Sequence, residues 1–172
     1  LRACVVDFFD RTTGTVAIVQ TLKRFGFHVN NCTEVQVDGQ PVRQRGATCG
    51  QVAAYNLRTM RQSDDWFRME PADFVHSVGD DALGQMNRIL GREPDNQDTT
   101  TGGEVARCAG VQECDISADM FVAGLRVFIN NLISNPPTEK REHFKIVNTS
   151  FAAEEGSHWI AVAWSATVST AS

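Results

Sequence analysis

Residues 44 to 57 read QRGATCGQVAAYNL, and the role of the cysteine in the middle decides the fold. Cysteine is among the side chains most often buried, so in isolation Cys49 reads as a small apolar residue. Its neighbours change that reading. From Cys49 to about Arg61 the apolar residues Ala53, Leu57 and Met60 share one helical face, and Gly50 lies in the first turn, where it allows close backbone approach. Cys49 therefore stands near a helix N-terminus, whose dipole favours negative charge. A thiol attacks well only as the thiolate, and an adjacent imidazolium works in the same direction.

Four histidines are available to supply that imidazolium. His28 sits among apolar residues in a strand and His76 in a helix, both positions typical of structural histidines. His143 lies in the charged run EKREHFK and is expected to face water. His158 differs, because it opens the last strand after Gly156 and Ser157, with Trp159 beside it. Small residues at a strand end leave the imidazole accessible at the sheet edge. An acyl-transfer intermediate would also need donors for its oxyanion. Gln44 is the candidate side-chain donor, to act with the Cys49 backbone N–H, and Gly46 lets the intervening turn bend tightly.

Outward from this stretch, the pattern is helical first and β-rich last. TVAIVQTLKRF (15 to 25) predicts a helix with Thr15 as N-cap and Gly26 as stop, and FHVNNCTEVQV (27 to 37) predicts one strand or a broken pair. Cys4 and Cys32 read as core or strand residues. Pro71 opens a short helix through Val78, and Asp80 or Asp81 caps another that carries Leu83, Met86 and Leu90 and stops at Gly91. Residues 92 to 113 show no periodicity and predict a long functional or mobile loop. Ser117 caps a helix lined by Phe121, Leu125, Phe128 and Leu132 that ends before Pro136. FKIVNTSF (144 to 151) and HWIAVAW (158 to 164) form a hairpin. The expected class is α+β, a helical part followed by an antiparallel sheet.

The 172 residues fit a single catalytic domain, 1 to 172, and the absence of a starting Met suggests a fragment of a longer protein. A net charge of -5 and 42% hydrophobic residues give no reason to expect nucleic acid or an anionic membrane as partner. No apolar run is long enough to span a membrane. Five cysteines, an odd number in a chain this long, point to a reducing compartment, cytoplasmic or nuclear, or a host cytosol if the protein is a secreted effector. Cys108 and Cys114 do not have a zinc-ligand spacing, so no metal and no cofactor is expected. Trp66 and Phe67 read as core anchors, while Asp64, Asp65, Glu154 and Glu155 read as solvated surface.

The pattern Q-x-G-x-x-C-x-Q at Gln44, Gly46, Cys49 and Gln51, together with His158-Trp159 opening a late strand, resembles the papain-like cysteine proteases and most of all the Josephin family of deubiquitinases. The resemblance covers these two motifs rather than the whole chain. It implies a papain-like fold, ubiquitin or a ubiquitin-like protein as partner, and cleavage after that partner's C-terminal glycine. It also implies Cys49 as nucleophile, His158 as general base and Gln44 as oxyanion donor. T-C-G followed by small residues also resembles bacteriocin-processing peptidases that cut after glycine pairs, the second expectation. The family's imidazole-orienting Asn or Asp follows the His by about fifteen residues, and SATVSTAS after Trp164 holds neither acid nor amide. A catalytically silent binding module of the same fold is therefore the third expectation.

Overall fold

In a computed structural model the protein is described at residues 1–7, 13–32, 35–37, 40–42, 47–111, 117–135, 141–149 and 158–166. The chain opens with strand β1 (Arg2–Val6), helix α1 (Thr13–Arg24) and strand β2 (His28–Cys32). A small antiparallel pair, β3 (Val35–Val37) and β4 (Gln40–Val42), precedes helix α2 (Cys49–Gln62). Two 3₁₀ segments (Trp66–Arg68 and Pro71–Val78) lead to helices α3 (Asp80–Leu90), α4 (Gly102–Ala109) and α5 (Ala118–Ser134). Strands β5 (Arg141–Asn148) and β6 (Trp159–Ala166) complete the chain's described elements.

The class is α+β, built on a four-stranded sheet of order β2-β1-β6-β5. The expectation of an antiparallel sheet following the helices needs correction. β1 begins the chain yet lies inside the sheet, parallel to β2 and antiparallel to β6. Only the β5/β6 hairpin matches the expected pattern. The first strand escaped sequence reading because LRACVV is a nearly continuous apolar run, too short to distinguish a buried strand from a helix segment.

Helices cover both faces of the sheet. Cys4, Val6, Ile146, Ala161 and Ala163 face α2, the 3₁₀ segments, α3 and α4, in a core that includes Leu57, Met60, Trp66 and Phe74. Ala3, Val5, Val147, Ile160, Val162 and Trp164 face α1 and α5, against Ile18, Leu22, Phe121 and Leu125. Successive strand residues point to opposite faces, so β6, covered on both, is buried along its whole length. Trp66 belongs to the first core, as expected of an anchor, and its neighbour Phe67 packs at its rim under the Arg2 guanidinium. His143 does not face water: its ring stacks on Trp164 and meets Phe128 edge-on.

The expected long loop from 92 to 113 is also corrected. Thr101 and Glu104 form a capping box at the start of α4, each side chain bonding the other's backbone N–H, and Gly110 ends the helix in the left-handed region. The T-x-x-E capping signal at Thr101 and Glu104 was present in a stretch whose polarity and lack of periodicity pointed to a loop. The segment before α4 is tied down by side chains. Arg92 donates to the carbonyls of Asp98 and Thr99 and pairs with Glu104, while the buried Asn87 amide donates to the carbonyls of Pro94 and Asn96.

This anchored segment explains Gly50. A Cβ there would come within 2.0 Å of the Thr100 hydroxyl oxygen and 2.7 Å of a Val105 methyl. Gly50→Ala is expected to lower stability by about 1–3 kcal/mol, the usual cost of forcing volume into a packed contact, and adding Thr100→Ala should recover part of it. Thermal denaturation of the two variants beside wild type measures both effects.

Candidate active site

Cys49 is the first residue of α2, half-buried, and follows Thr48. Intrahelical bonding resumes only at Val52, whose N–H donates to the Thr48 carbonyl at 3.0 Å. The N–H groups of the first turn, that of Cys49 among them, have no acceptor within the helix. Behind the first turn, Gln51 is buried and donates through Nε2 to Asn87 Oδ1. Gln51 is thus a strut between α2 and α3, facing away from solvent. Gln44 and Gly46 lie outside the described residues, as do Cys114, Glu154 and Glu155.

His158 immediately precedes β6, as expected from the H-W motif. Its carbonyl accepts from Thr149 N–H at 2.9 Å, extending the β5/β6 ladder by one pair past Asn148 and Trp159. Trp159 itself is buried in the core beneath α2. The structure brings His158 and Cys49 together, their side chains hydrogen-bonded. His28 is exposed at the start of β2 and His76 is exposed in its 3₁₀ segment, so neither joins them.

The third group is Asp7, which the sequence analysis missed. Asp7 directly follows β1, and its N–H continues the β1/β2 ladder by donating to the Cys32 carbonyl at 3.1 Å. Because β1 and β6 run antiparallel, the C-terminal end of one meets the N-terminal end of the other. His158 Nε2 lies 2.7 Å from Asp7 Oδ1. The other carboxylate oxygen, Oδ2, accepts from the Thr15 hydroxyl at 2.7 Å. Asp7 and Thr15 are each 4% exposed. Thr15 is accordingly not an N-cap; it lies in the first turn of α1, and its hydroxyl serves the carboxylate. A signal for Asp7 was present in the sequence: an acid placed directly after a run of apolar strand residues.

The contact with Asp7 assigns the imidazole's tautomer. With Nε2 bonded to an acid, Nε2–H donates to Asp7 and Nδ1 is left for the thiol. Burial opposes a charge on His158, but the hydrogen bonds to Asp7 and Cys49, with their negative charges, outweigh it and raise the imidazole from 6.5 to about 9. Cys49 thus has the imidazole on one side and its own helix N-terminus on the other.

Among the described residues no group of three or more His, Cys, Asp or Glu side chains could hold a metal ion, and no helix is long and apolar enough to cross a membrane. Comparison of the chain with models of protein families, with characterised proteins and with solved structures finds no match.

The raised imidazole sets the pH behaviour. A group that binds its proton more tightly when folded adds stability that is complete below its unfolded value and is lost as pH rises through its folded one. Stability due to His158 should therefore be full below about 6.5 and disappear through about 9. In Asp7→Asn, which removes the charge, the decline should be smaller and centred at lower pH. Urea midpoints measured at intervals from pH 6 to about 10 test this.

Proposed function

We propose that the chain is a papain-like cysteine protease that cleaves peptide or isopeptide bonds after the C-terminal glycine of ubiquitin or a ubiquitin-like protein. The observation that supports the chemistry is the juxtaposition of Cys49 at a helix N-terminus, His158 hydrogen-bonded to it, and Asp7 behind the imidazole. The choice of substrate rests on the likeness of the Gln44-to-Gln51 and His158-Trp159 motifs to Josephin deubiquitinases.

Each group has a role in this reading. The Cys49 thiolate attacks the glycyl carbonyl carbon, and the carbonyl π electrons move to oxygen. The oxyanion accepts hydrogen bonds from the Cys49 N–H and the Gln44 side-chain amide. As the tetrahedral intermediate collapses, the C–N bond breaks and the His158 imidazolium gives its Nδ1 proton to the departing amine. The product left on the enzyme is a thioester. His158, now neutral, takes a proton from water as the water oxygen attacks the thioester; the C–S bond breaks, restoring the thiolate–imidazolium pair and releasing a glycine carboxylic acid, which gives its remaining proton to solvent. Asp7 holds the ring by its bond to Nε2, with Nδ1 toward sulfur. The silent-module alternative arose from a missing acid after the histidine; Asp7, reached through the first strand, supports the active reading by supplying an acid beside the imidazole.

Two experiments test the proposal. Ubiquitin carrying a C-terminal propargyl warhead should add one ubiquitin to the wild-type mass and none to Cys49→Ala. Rapid alkylation of Cys49 by iodoacetamide without a ubiquitin adduct would leave a protease and reject ubiquitin; a Cys49 inert to both reagents would reject the protease. With a ubiquitin C-terminal amide substrate, kcat/KM should fall as pH rises through about 9, where His158 loses the proton the leaving amine needs. Asp7→Asn should reduce kcat/KM by about 10²-fold or more and move that limb to lower pH.

A further inference from the structure

A hydroxyl lies behind the acid. Thr15 reaches Asp7 Oδ2 from the first turn of α1, a different element from the strands that hold Asp7 and His158. Oδ1 is committed to His158 and Oδ2 to Thr15, so the two bonds together fix the rotation of the carboxylate about its last bond. A carboxylate held by one oxygen alone could turn away from the ring, and at 4% exposure it has little water to take the other.

The position of Thr15 is itself fixed by packing. A Cβ on the preceding residue, Gly14, would fall 2.6 Å from the Thr149 carbonyl oxygen and 2.8 Å from the Thr149 Cβ. Only a residue without a side chain lets the α1 first turn sit this close to the end of β5. Thr149 in turn donates its N–H to the His158 carbonyl. The helix that carries the hydroxyl is thereby seated against the residue paired with the histidine's own backbone, and the circuit Thr15, Asp7, His158, Thr149, Gly14 closes on itself.

We infer that Thr15 is a positioning residue of the proposed active site: its hydroxyl holds the Asp7 carboxylate in the rotation that orients His158 toward Cys49. The inference rests on the protease reading and adds to it a residue outside the Cys, His and acid set. Among the described residues, the charged and titratable groups acting on His158 include Asp7 from β1 and Cys49 from α2. From α1 comes no acidic residue in the first turn, and its basic residues Lys23 and Arg24 lie in the last turn, at the far end of the helix. The β5 end contributes Asn148 and Thr149, both neutral. The hydroxyl therefore acts through Asp7 rather than by its own charge. Without it, Oδ2 loses the 2.7 Å bond from α1 that fixes its side of the carboxylate, and the hold on the imidazole weakens.

The test compares Thr15→Val, which keeps the shape and removes the hydroxyl, with Thr15→Ala and with Thr15→Ser, which restores the hydroxyl. Two readouts need no knowledge of the substrate: the rate of Cys49 alkylation by iodoacetamide at pH 7, and the pH titration of the His158 ring protons by NMR. Loss of the hydroxyl should slow alkylation by about 10-fold to 100-fold, the common size of an outer hydrogen-bond effect, and move the His158 midpoint to lower pH. Thr15→Ser should return both to within about threefold and a few tenths of a pH unit of wild type. Wild-type behaviour in Thr15→Val, or equal impairment in Thr15→Ser and Thr15→Val, would overturn the inference. So would loss of the folded circular-dichroism signal in both Thr15→Val and Thr15→Ala, since the hydroxyl would then be a folding determinant. The substrate reading fails separately, through the absence of a ubiquitin adduct on a wild type whose Cys49 still depends on Thr15.

Discussion

The hydrogen bond between His158 Nε2 and Asp7 Oδ1 joins the two ends of the chain, 151 residues apart, and the rest of the site depends on it. It exists because β1 is an interior strand: antiparallel pairing of Val6 with Ala161 places Asp7 opposite Ile160, two residues along β6 from His158 and within side-chain reach of it. Had the first strand occupied the sheet edge beyond β2, no acid would reach the ring. The interior position is in turn required by composition, since β1 is buried on both faces and needs strands at its sides and helices above and below. The fold and the proposed chemistry thus share one constraint, the placement of a short apolar strand.

That constraint also distributes the work between the two faces of the sheet. The face covered by α2, α3 and α4 presents the thiol: the helix lies across β6, and its N-terminus is held down by Gly50 against Thr100 and by Gln51 against Asn87. The face covered by α1 supplies the second bond to the acid through Thr15. His158, at the end of the strand between them, is the point where both sets of contacts meet. A cysteine on a loop could share the same composition, but the distance from sulfur to ring would then vary with the loop. Here both ends of the contact are anchored in packed elements, the condition under which a fixed hydrogen bond to a buried imidazole can hold its proton up to about 9.

Much of this was legible in the sequence, and the parts that were not share a cause. Some helix starts and stops were readable: Ser117 accepts from the Met120 N–H as expected, and Gly26 and Gly91 adopt the positive φ of helix ends, whereas Asp80 and Asp81 lie inside the first turn of α3, after Gly79, rather than capping it. The hairpin and the placement of His158 followed from β-rich runs separated by turn residues. Cys49 at a helix start followed from the switch to a 3.6-residue period. What failed were features set by distant contacts. Nothing near Asp7 in sequence says that it will meet a histidine near the other end of the chain, because that pairing is made by sheet order. The 92 to 101 segment looked like a free loop because its order comes from Asn87 and Arg92, whose amide and guanidinium groups bond its carbonyls. His143 looked solvated because its local neighbours are charged, whereas the ring is held by Trp164 and Phe128.

The route by which the acid arrives matters for what the site can tolerate. When an orienting residue follows the histidine on the next strand, one hairpin fixes both, and a change in that hairpin moves them together. In this chain Asp7 and His158 belong to strands joined by no short connection, so their alignment is set by the β1/β6 register over its five paired residues and by the contacts that seat α1. A one-residue slip of β1 would turn every side chain of that strand to the opposite face and carry the carboxylate out of reach of the ring. The register is resisted from both sides, by Cys4 and Val6 in one core and Ala3 and Val5 in the other, all 0% or 1% exposed. The small, apolar residues of β1 therefore do more than fill space: paired with β2 on one side and β6 on the other, they hold an acid near the start of the sequence against a histidine 151 residues on.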